Sequence, residues 1–243
     1  MFDTHFEAIL ADTDHARRIH YQLRYQVYCL ETGFEDRNRF PDGEEKDEWD
    51  DRAIHFLVRV RATGDWAGAV RVVLPNPEGL PVERTCQLDP ATRPGVLDRP
   101  VGEISRLCVL DRYRRRIPRV AKLCGIDHLY RDGPQRQPGP IILLGLLRAA
   151  AHYTQKWGID ACYLLTTPGL ARMLNRWNIQ LEPAGAKTNH RGERYPFLAD
   201  LGKGRERVKS CSSAIAEMLS REPAYRRFSE LAGDESDRRP ATA

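Results

Sequence analysis

No apolar run among the 243 residues approaches the roughly 20 needed to span a bilayer. The longest, Ile141 to Leu147, is interrupted by Gly145 and followed by Arg148. The N-terminus, Met1-Phe2-Asp3-Thr4-His5, has neither the basic nor the apolar region of a signal peptide, so a cytoplasmic protein without a membrane span is expected. Cysteine is sparse: the six stand at 29, 86, 108, 124, 162 and 211, with no CxxC pair and no histidine at a metal-ligand spacing. That counts against a disulfide scaffold and a zinc module, and no metal site is expected. Cys108 and Cys162 sit in apolar stretches and read as reduced, buried thiols. There is no GxSxG elbow and no GxxxxGK[ST] loop, so hydrolase and NTPase readings find no support. No internal repeat is visible. No sign of charge dominates either: the formal charge is +4 and the pI about 8.8, well short of a dedicated nucleic-acid binder.

What is present is a chain able to build a core, with 41% hydrophobic residues against 30% charged. Phe2 to Leu10 reads as a strand. Asp12-Thr13-Asp14 offers N-caps for a helix carrying Ile19, Leu23, Val27 and Leu30 on one stripe, stopped by Gly33. Residues 35–51 are polar and acidic, a long loop or broken helix. His55–Val60 and Ala67–Leu74 read as a hairpin turning at Gly64-Asp65. The proline-rich stretch 75–100 reads as irregular, and Gly102–Leu110 as a further strand. A helix over 140–157 ends at Gly158, a strand follows at 161–165, a helix at 170–177 and a strand at 195–201. A short helix at 212–219 and a disordered tail after Gly233 complete the reading. The order implies a mixed sheet with helices on its faces. The helix at 140–157 should cross over between two neighbouring parallel strands, which splay apart.

Two segments carry unusual charge. Arg24 and Tyr28 lie four apart on one helix face, a spacing that an ordinary amphipathic helix with a snorkelling arginine also produces. Glu103 and Arg106 stand inside Val101-Gly102-Glu103-Ile104-Ser105-Arg106-Leu107-Cys108-Val109, where buried charge is costly unless paired. Their odd separation places them on opposite faces of a regular strand, and one bulge between them would bring both to one face. A surface ion pair on an edge strand is the alternative, and the apolar residues after Arg106 argue against it. The run Glu44-Glu45-Lys46-Asp47-Glu48-Trp49-Asp50-Asp51 is by itself a solvated acidic loop, and Arg71 alone is ambiguous.

Together these residues resemble a family. Arg24 with Tyr28 and Phe34, Asp47 with Asp50, Arg71, and Glu103-Ile104-Ser105-Arg106 are similar in order and spacing to the acyl-homoserine-lactone (autoinducer) synthases of the wider GNAT acyltransferase fold. The segments 28–36, His55-Phe56-Leu57-Val58-Arg59 and 102–107 resemble more closely the PEP-CTERM/exosortase-system-associated acyltransferases. The resemblance covers roughly residues 5–200. It implies an α/β, GNAT-like (acyl-CoA N-acyltransferase) single domain over 1–205, with a C-terminal helix and disordered tail over 206–243. Tyr28 and Phe34 depart from the Phe and Trp usual in autoinducer synthases. The implied acceptor is therefore S-adenosylmethionine, an amino acid as in N-acyl amino acid synthases, or another small amine.

The implied chemistry is transfer of a fatty-acyl group from acyl carrier protein or coenzyme A to that amine, with the thioester as co-substrate and no permanently bound cofactor. Glu103, Ser105 and Arg106 are the expected catalytic residues, with Glu103 taking the amine proton directly or through water. A backbone N–H at a strand bulge would meet the oxyanion. Arg24, Tyr28, Phe34, Asp47, Asp50 and Arg71 are expected to bind the acceptor. Where coenzyme A-dependent members carry a glycine-rich pyrophosphate loop, this chain reads Asp111-Arg112-Tyr113-Arg114-Arg115-Arg116-Ile117-Pro118-Arg119. Arg112, Arg114, Arg115, Arg116 and Arg119 are the expected docking patch for acidic acyl carrier protein, with coenzyme A phosphates as the other ligand. A general coenzyme A-dependent N-acetyltransferase is the alternative, against which the missing glycines count. A nucleic-acid module using the arginines ranks last, with nucleic acid an unlikely partner.

Overall fold

The computed structural model describes residues 2–114, 139–210 and 214–231. A short helix α1 (Phe2–His5) leads into β1 (Phe6–Leu10), so the expected first strand starts four residues late. Thr13 caps α2 (Asp14–Tyr25) by accepting the Ala16 N–H at 3.2 Å. The chain then switches to a π-turn over Gln26–Glu31 before Gly33, at φ +63°, ends it. That switch breaks the expected apolar stripe: Leu23 and Val27 are buried, whereas the wider winding carries Leu30 out to 50% exposure.

β2 (Ala53–Val60), β3 (Trp66–Val73) and β4 (Val101–Val109) follow, each antiparallel to its predecessor. The proline-rich connection expected to be irregular contains the short helix α3 (Pro81–Thr85) and a 3-10 turn at Pro90–Thr92. After β4 come α4 (Asp111–Arg114), α5 (Gly139–Lys156), β5 (Ala161–Thr166) and α6 (Pro168–Arg176), the last capped by Thr167. β6 (Leu181–Pro183), β7 (Thr188–Asn189) and β8 (Glu193–Asp200) precede α7 (Leu201–Ser210), α8 (Ala214–Ser220) and β9 (Arg226–Arg227).

The sheet runs β6-β8-β5-β4-β3-β2-β1-β9, with β7 on β8. β4 and β5 are neighbours and parallel, as the strand–helix–strand order required, and α5 between them covers the sheet face. Their pairing lasts only from Val101↔Ala161 to Glu103↔Tyr163. Beyond it the strands part. The expected boundary at 205/206 falls inside α7. Residues past it rejoin the domain: Met218 and Leu231 are buried, and β9 pairs parallel with β1. The proposed tail after Gly233 lies outside the described residues.

Gly145, which interrupts the apolar run of α5, is a packing requirement. A Cβ built there would stand 2.0 Å from the Phe2 ring, and that ring also stacks on Phe6 at 5.8 Å. Gly145→Ala should therefore destabilise the fold by about 1–3 kcal/mol despite better helix propensity. Thermal unfolding of Gly145→Ala alone and with Phe2→Ala checks this. Non-additive, partial relief in the double variant is expected if the ring is the obstacle.

Candidate active site

Where β4 and β5 part, a cleft of about 490 Å³ opens on the sheet face carrying α2 and α3. Its floor is Glu103 to Leu107, its far wall Leu164 to Thr167. The bulge expected near Glu103 lies at Arg106. Arg71 pairs with Ser105 but Ala69 with Cys108, so β4 holds one extra residue there, and Arg106 takes φ +50°. A non-glycine residue in that region is strained and needs holding in place. Arg106 is held by three carboxylates. Its Nε lies 3.1 Å from Glu45, and its Nη2 lies 2.9 Å from Asp47 and 3.8 Å from Glu35.

Beneath the cleft the charges continue. Arg24, fully buried, donates to Glu45 and to Asp50, both at 2.6 Å. Arg71, also buried, reaches Asp47 at 2.5 Å and Asp50 at 3.1 Å, and donates from Nε to Ser105 Oγ at 3.2 Å. His55 lies 3.0 Å from Asp50. Burial alone would raise the Asp50 carboxyl. The His55 hydrogen bond and the Arg24 and Arg71 guanidiniums outweigh it and hold Asp50 well below the usual carboxylate range. Burial lowers His55, so the neutral ring donates its Nε2 hydrogen to Asp50. Arg24, Arg71 and Arg106 thus face Glu45, Asp47 and Asp50, and the cluster neutralises itself.

Glu103 stands apart. It is buried in the cleft floor, and Arg106 turns to the other acids instead of pairing with it. Its hydrogen bond comes from the Val82 N–H in α3, at 2.7 Å to Oε2. Burial pushes its carboxyl up to about 7, against the opposing pull of that N–H and of Arg71 and Arg106.

Of the expected residues, Glu103, Ser105, Arg106, Tyr28, Phe34, Asp47 and Arg71 line one cleft. Arg24 and Asp50 do not; they lie underneath and hold its walls together. Tyr28 donates to the Leu107 carbonyl at 3.3 Å, with its phenol pushed up by burial, and Phe34 stands at the rim, 43% exposed. In the arginine run, Arg114 pairs with Glu31 at 2.7 Å and Arg112 donates to the Trp66 carbonyl. Arg115, Arg116 and Arg119 lie outside the described residues. Among the described residues no cluster of His, Cys, Asp and Glu has metal-holding geometry, and no helix is long and apolar enough to cross a membrane.

Sequence reasoning missed Glu45, which bridges Arg24 and Arg106, because it looks like any other acid of its run. It also missed Glu35, His55, Val82 and Arg191, the last of which reaches Glu35 from the β7–β8 turn.

Residues 23–121 match the acetyltransferase (GNAT) domain family. Among solved structures, the chain is similar to the coenzyme A-dependent acyl-homoserine lactone synthase BjaI in a structure with S-adenosylmethionine and isopentyl-CoA. That likeness has TM-score 0.55 at 16% identity and covers 92% of each chain. FeeM, an N-acyl amino acid synthase from uncultured soil microbes, gives 0.55 at 11% identity over 83% of this chain and 94% of that one. The acyl-homoserine lactone synthase LasI gives 0.52 at 17% over 82% and 91%. No curated protein matches the sequence. The chain has the GNAT fold of the acyl-CoA N-acyltransferases, a mixed sheet with helices on its faces.

Asp50→Asn removes one charge from the buried cluster and leaves Arg24 and Arg71 under-compensated. It should cost about 3–5 kcal/mol of stability. The wild-type contribution of Asp50, whose folded value is depressed, is present above the ordinary carboxyl value of 3.8 and is lost as pH falls below it. Urea unfolding of both proteins at neutral and acid pH measures the difference, which should shrink in acid.

Proposed function

We propose that the protein is an N-acyltransferase that moves a fatty-acyl group from a thioester to the amine of a small acceptor such as an amino acid or S-adenosylmethionine. The observation that carries this reading is Glu103: a buried carboxyl near neutrality, beside a bulge, where two parallel strands part. Its Oε2 is fixed by the Val82 N–H, so the carboxylate is positioned to accept a proton from the attacking amine, directly or through water. The amine nitrogen bonds to the thioester carbonyl carbon, the C–S bond breaks, and the thiolate leaves to be protonated. Past Glu103 the β4 edge that would face β5 has no strand partner among the described residues, which supports a backbone N–H as oxyanion donor. Ser105, Arg106, Asp47 and Arg71 shape the acceptor side, with Tyr28 and Phe34 as aromatic walls.

A long acyl group fits better than acetyl. A second cavity of about 880 Å³ on the α5 face shares Ile104 and Leu164 with the cleft, and Leu147, Ile179 and Leu219 line it further in. The two cavities thus meet the same two strand residues, and an acyl chain passing between the parting strands would run from one to the other. The structural neighbours named for acyl-homoserine lactone and N-acyl amino acid synthesis support the same class. Kinship to the PEP-CTERM-associated group rests on the motif segments around 28–36 and 102–107. A cytoplasmic location suits thioester donors. Mass spectrometry of lipid extracts from an overexpressing host reports acyl chain and amine together; absence of any new acylated amine, with purified protein also inert towards acyl thioesters, would sink the reading.

Glu103→Gln should lower single-turnover transfer by on the order of 10²–10⁴-fold while donor binding persists. In the wild type, kcat/KM should rise with pH through about 7 as Glu103 ionises. Stability runs the other way. A carboxyl raised in the folded state contributes fully below its ordinary 4.5 and loses that contribution as pH rises through about 7. The decline should be absent in Glu103→Gln, read as thermal midpoints across that window.

Acyl carrier protein is the proposed donor partner, docking on the arginine run. Replacing Arg115, Arg116 and Arg119 with Ala should weaken carrier-protein binding and flatten its salt dependence, because screened charge attraction is the cause. Equal affinity at low salt would move the donor assignment to coenzyme A.

A further inference from the structure

Two segments far apart in the chain meet at the cleft. One is the turn between β7 and β8; the other is Phe34-Glu35, just after the π-turn. Arg191 of the turn pairs with Glu35, and the Arg194 guanidinium carbon lies 5.8 Å from the centre of the Phe34 ring. All four side chains line the cleft. β7 lies off the main run of the sheet and pairs with β8 at Thr188↔Arg194 and Asn189↔Glu193. A hairpin that short is marginal by itself, so the contacts of its tip decide where it sits. The tip is built for one contact. Arg191 takes φ +55°, where a non-glycine residue is strained, and Gly192 follows at φ +93°. The side chain turns inward: Arg191 is 21% exposed and Glu35 8%. Burial works against the Arg191 charge, and so do the guanidiniums of Arg24 and Arg194, so Glu35 is the counter-charge that holds it. Glu35 also lies 3.8 Å from Arg106, which ties the turn to the strained bulge.

We propose that the β7–β8 turn is a strap over the cleft, that Arg191 is its latch on Glu35, and that the closed strap keeps water from the bound acyl thioester. The inference rests on the acyltransferase reading. Glu103 accepts a proton from water as readily as from an amine, so an open site would hydrolyse its donor. In that side reaction the water oxygen bonds to the thioester carbonyl carbon, the C–S bond breaks, and a fatty acid and a thiol form. Closing the site suppresses it. Arg191 is thus a positioning residue: it acts through Glu35 and touches no reacting atom.

The test uses the full chain with a medium-chain acyl-CoA and the matching acyl carrier protein thioester, and follows thiol release without any acceptor. Arg191→Gln should raise that hydrolysis about tenfold, a gain that a merely destabilised enzyme does not show. Arg191→Lys should restore part of the closure. Arg191→Gly removes the side chain and relieves the strained φ, so it should hydrolyse as fast as Arg191→Gln without a lower melting temperature. Arg39→Gln is the control. Arg39 also faces Glu35, but from four residues along the same segment, and its loss should leave hydrolysis unchanged. Hydrolysis unchanged in Arg191→Gln, or raised equally in Arg39→Gln, overturns the latch. If the wild type neither hydrolyses these thioesters nor transfers them to amino acids or S-adenosylmethionine, the acyltransferase reading fails on its own. Amide hydrogen exchange then decides the strap: faster exchange over 33–36 and 188–194 in Arg191→Gln, with β4 and β5 unmoved, supports it, and unchanged exchange overturns it.

Discussion

The site depends on where one strand pairing stops. β4 and β5 hold together for three residue pairs and then diverge. Parallel strands elsewhere in a sheet satisfy each other's backbone and shut out side chains between them. Ending the pairing at Glu103 and Tyr163 leaves a wedge-shaped gap floored by Glu103 to Leu107, where β4 has no strand partner on that side among the described residues. A carboxyl at the apex of that wedge is out of water yet reachable, which is why burial dominates its protonation. A little further along either strand it would be solvated and acidic. A little before, it would be sealed in the sheet.

The wedge is kept open by its own charges. Arg106 sits in a left-handed backbone conformation that a β-strand does not favour, and the carboxylates of Glu45, Asp47 and Glu35 hold it there from the loop across the way. That loop is fixed in turn from below, where Arg24 on α2 grips Glu45 and Asp50. Buried ion pairs are weak contributors to net stability when compared with an apolar replacement, yet removing one partner is severe. Such a network specifies geometry. It ties the N-terminal helix, the acidic loop and the central strands into one arrangement.

Much of this was legible in the chain. The order of strands and helices gave neighbouring parallel strands, and an arginine in an apolar strand after a glutamate pointed to a bulge, which the fold places at Arg106. That Arg24, Asp47, Asp50, Arg71 and Arg106 belong to one site came from the family resemblance, since Arg71 and the acidic run carry no such signal alone. What stayed hidden has common causes. Glu45 and Glu35 are chosen by loop conformation, which no periodicity encodes. Val82 serves Glu103 through its backbone, and a backbone donor leaves no trace in side-chain identity. β6, β7 and β9 are two or three residues long, too short for alternation to register. The π-turn that moves Leu30 off its stripe is likewise invisible to a pattern count at fixed period.

The far edge of the sheet carries one more consequence. β1 is buried along its length, and without a neighbour on the edge away from β2 it would present a row of open amides and carbonyls, the template on which foreign strands add. β9 covers that row at Ile9 and Leu10, and the following turn is stitched to Asp12 through Arg227 and Ser229. The last described stretch of chain thus acts as a guard against self-association. The same stretch also lines the cavity on the α5 face through Tyr225, Arg227 and Glu230, so one short segment of chain is both the cover of the sheet edge and a wall of that cavity.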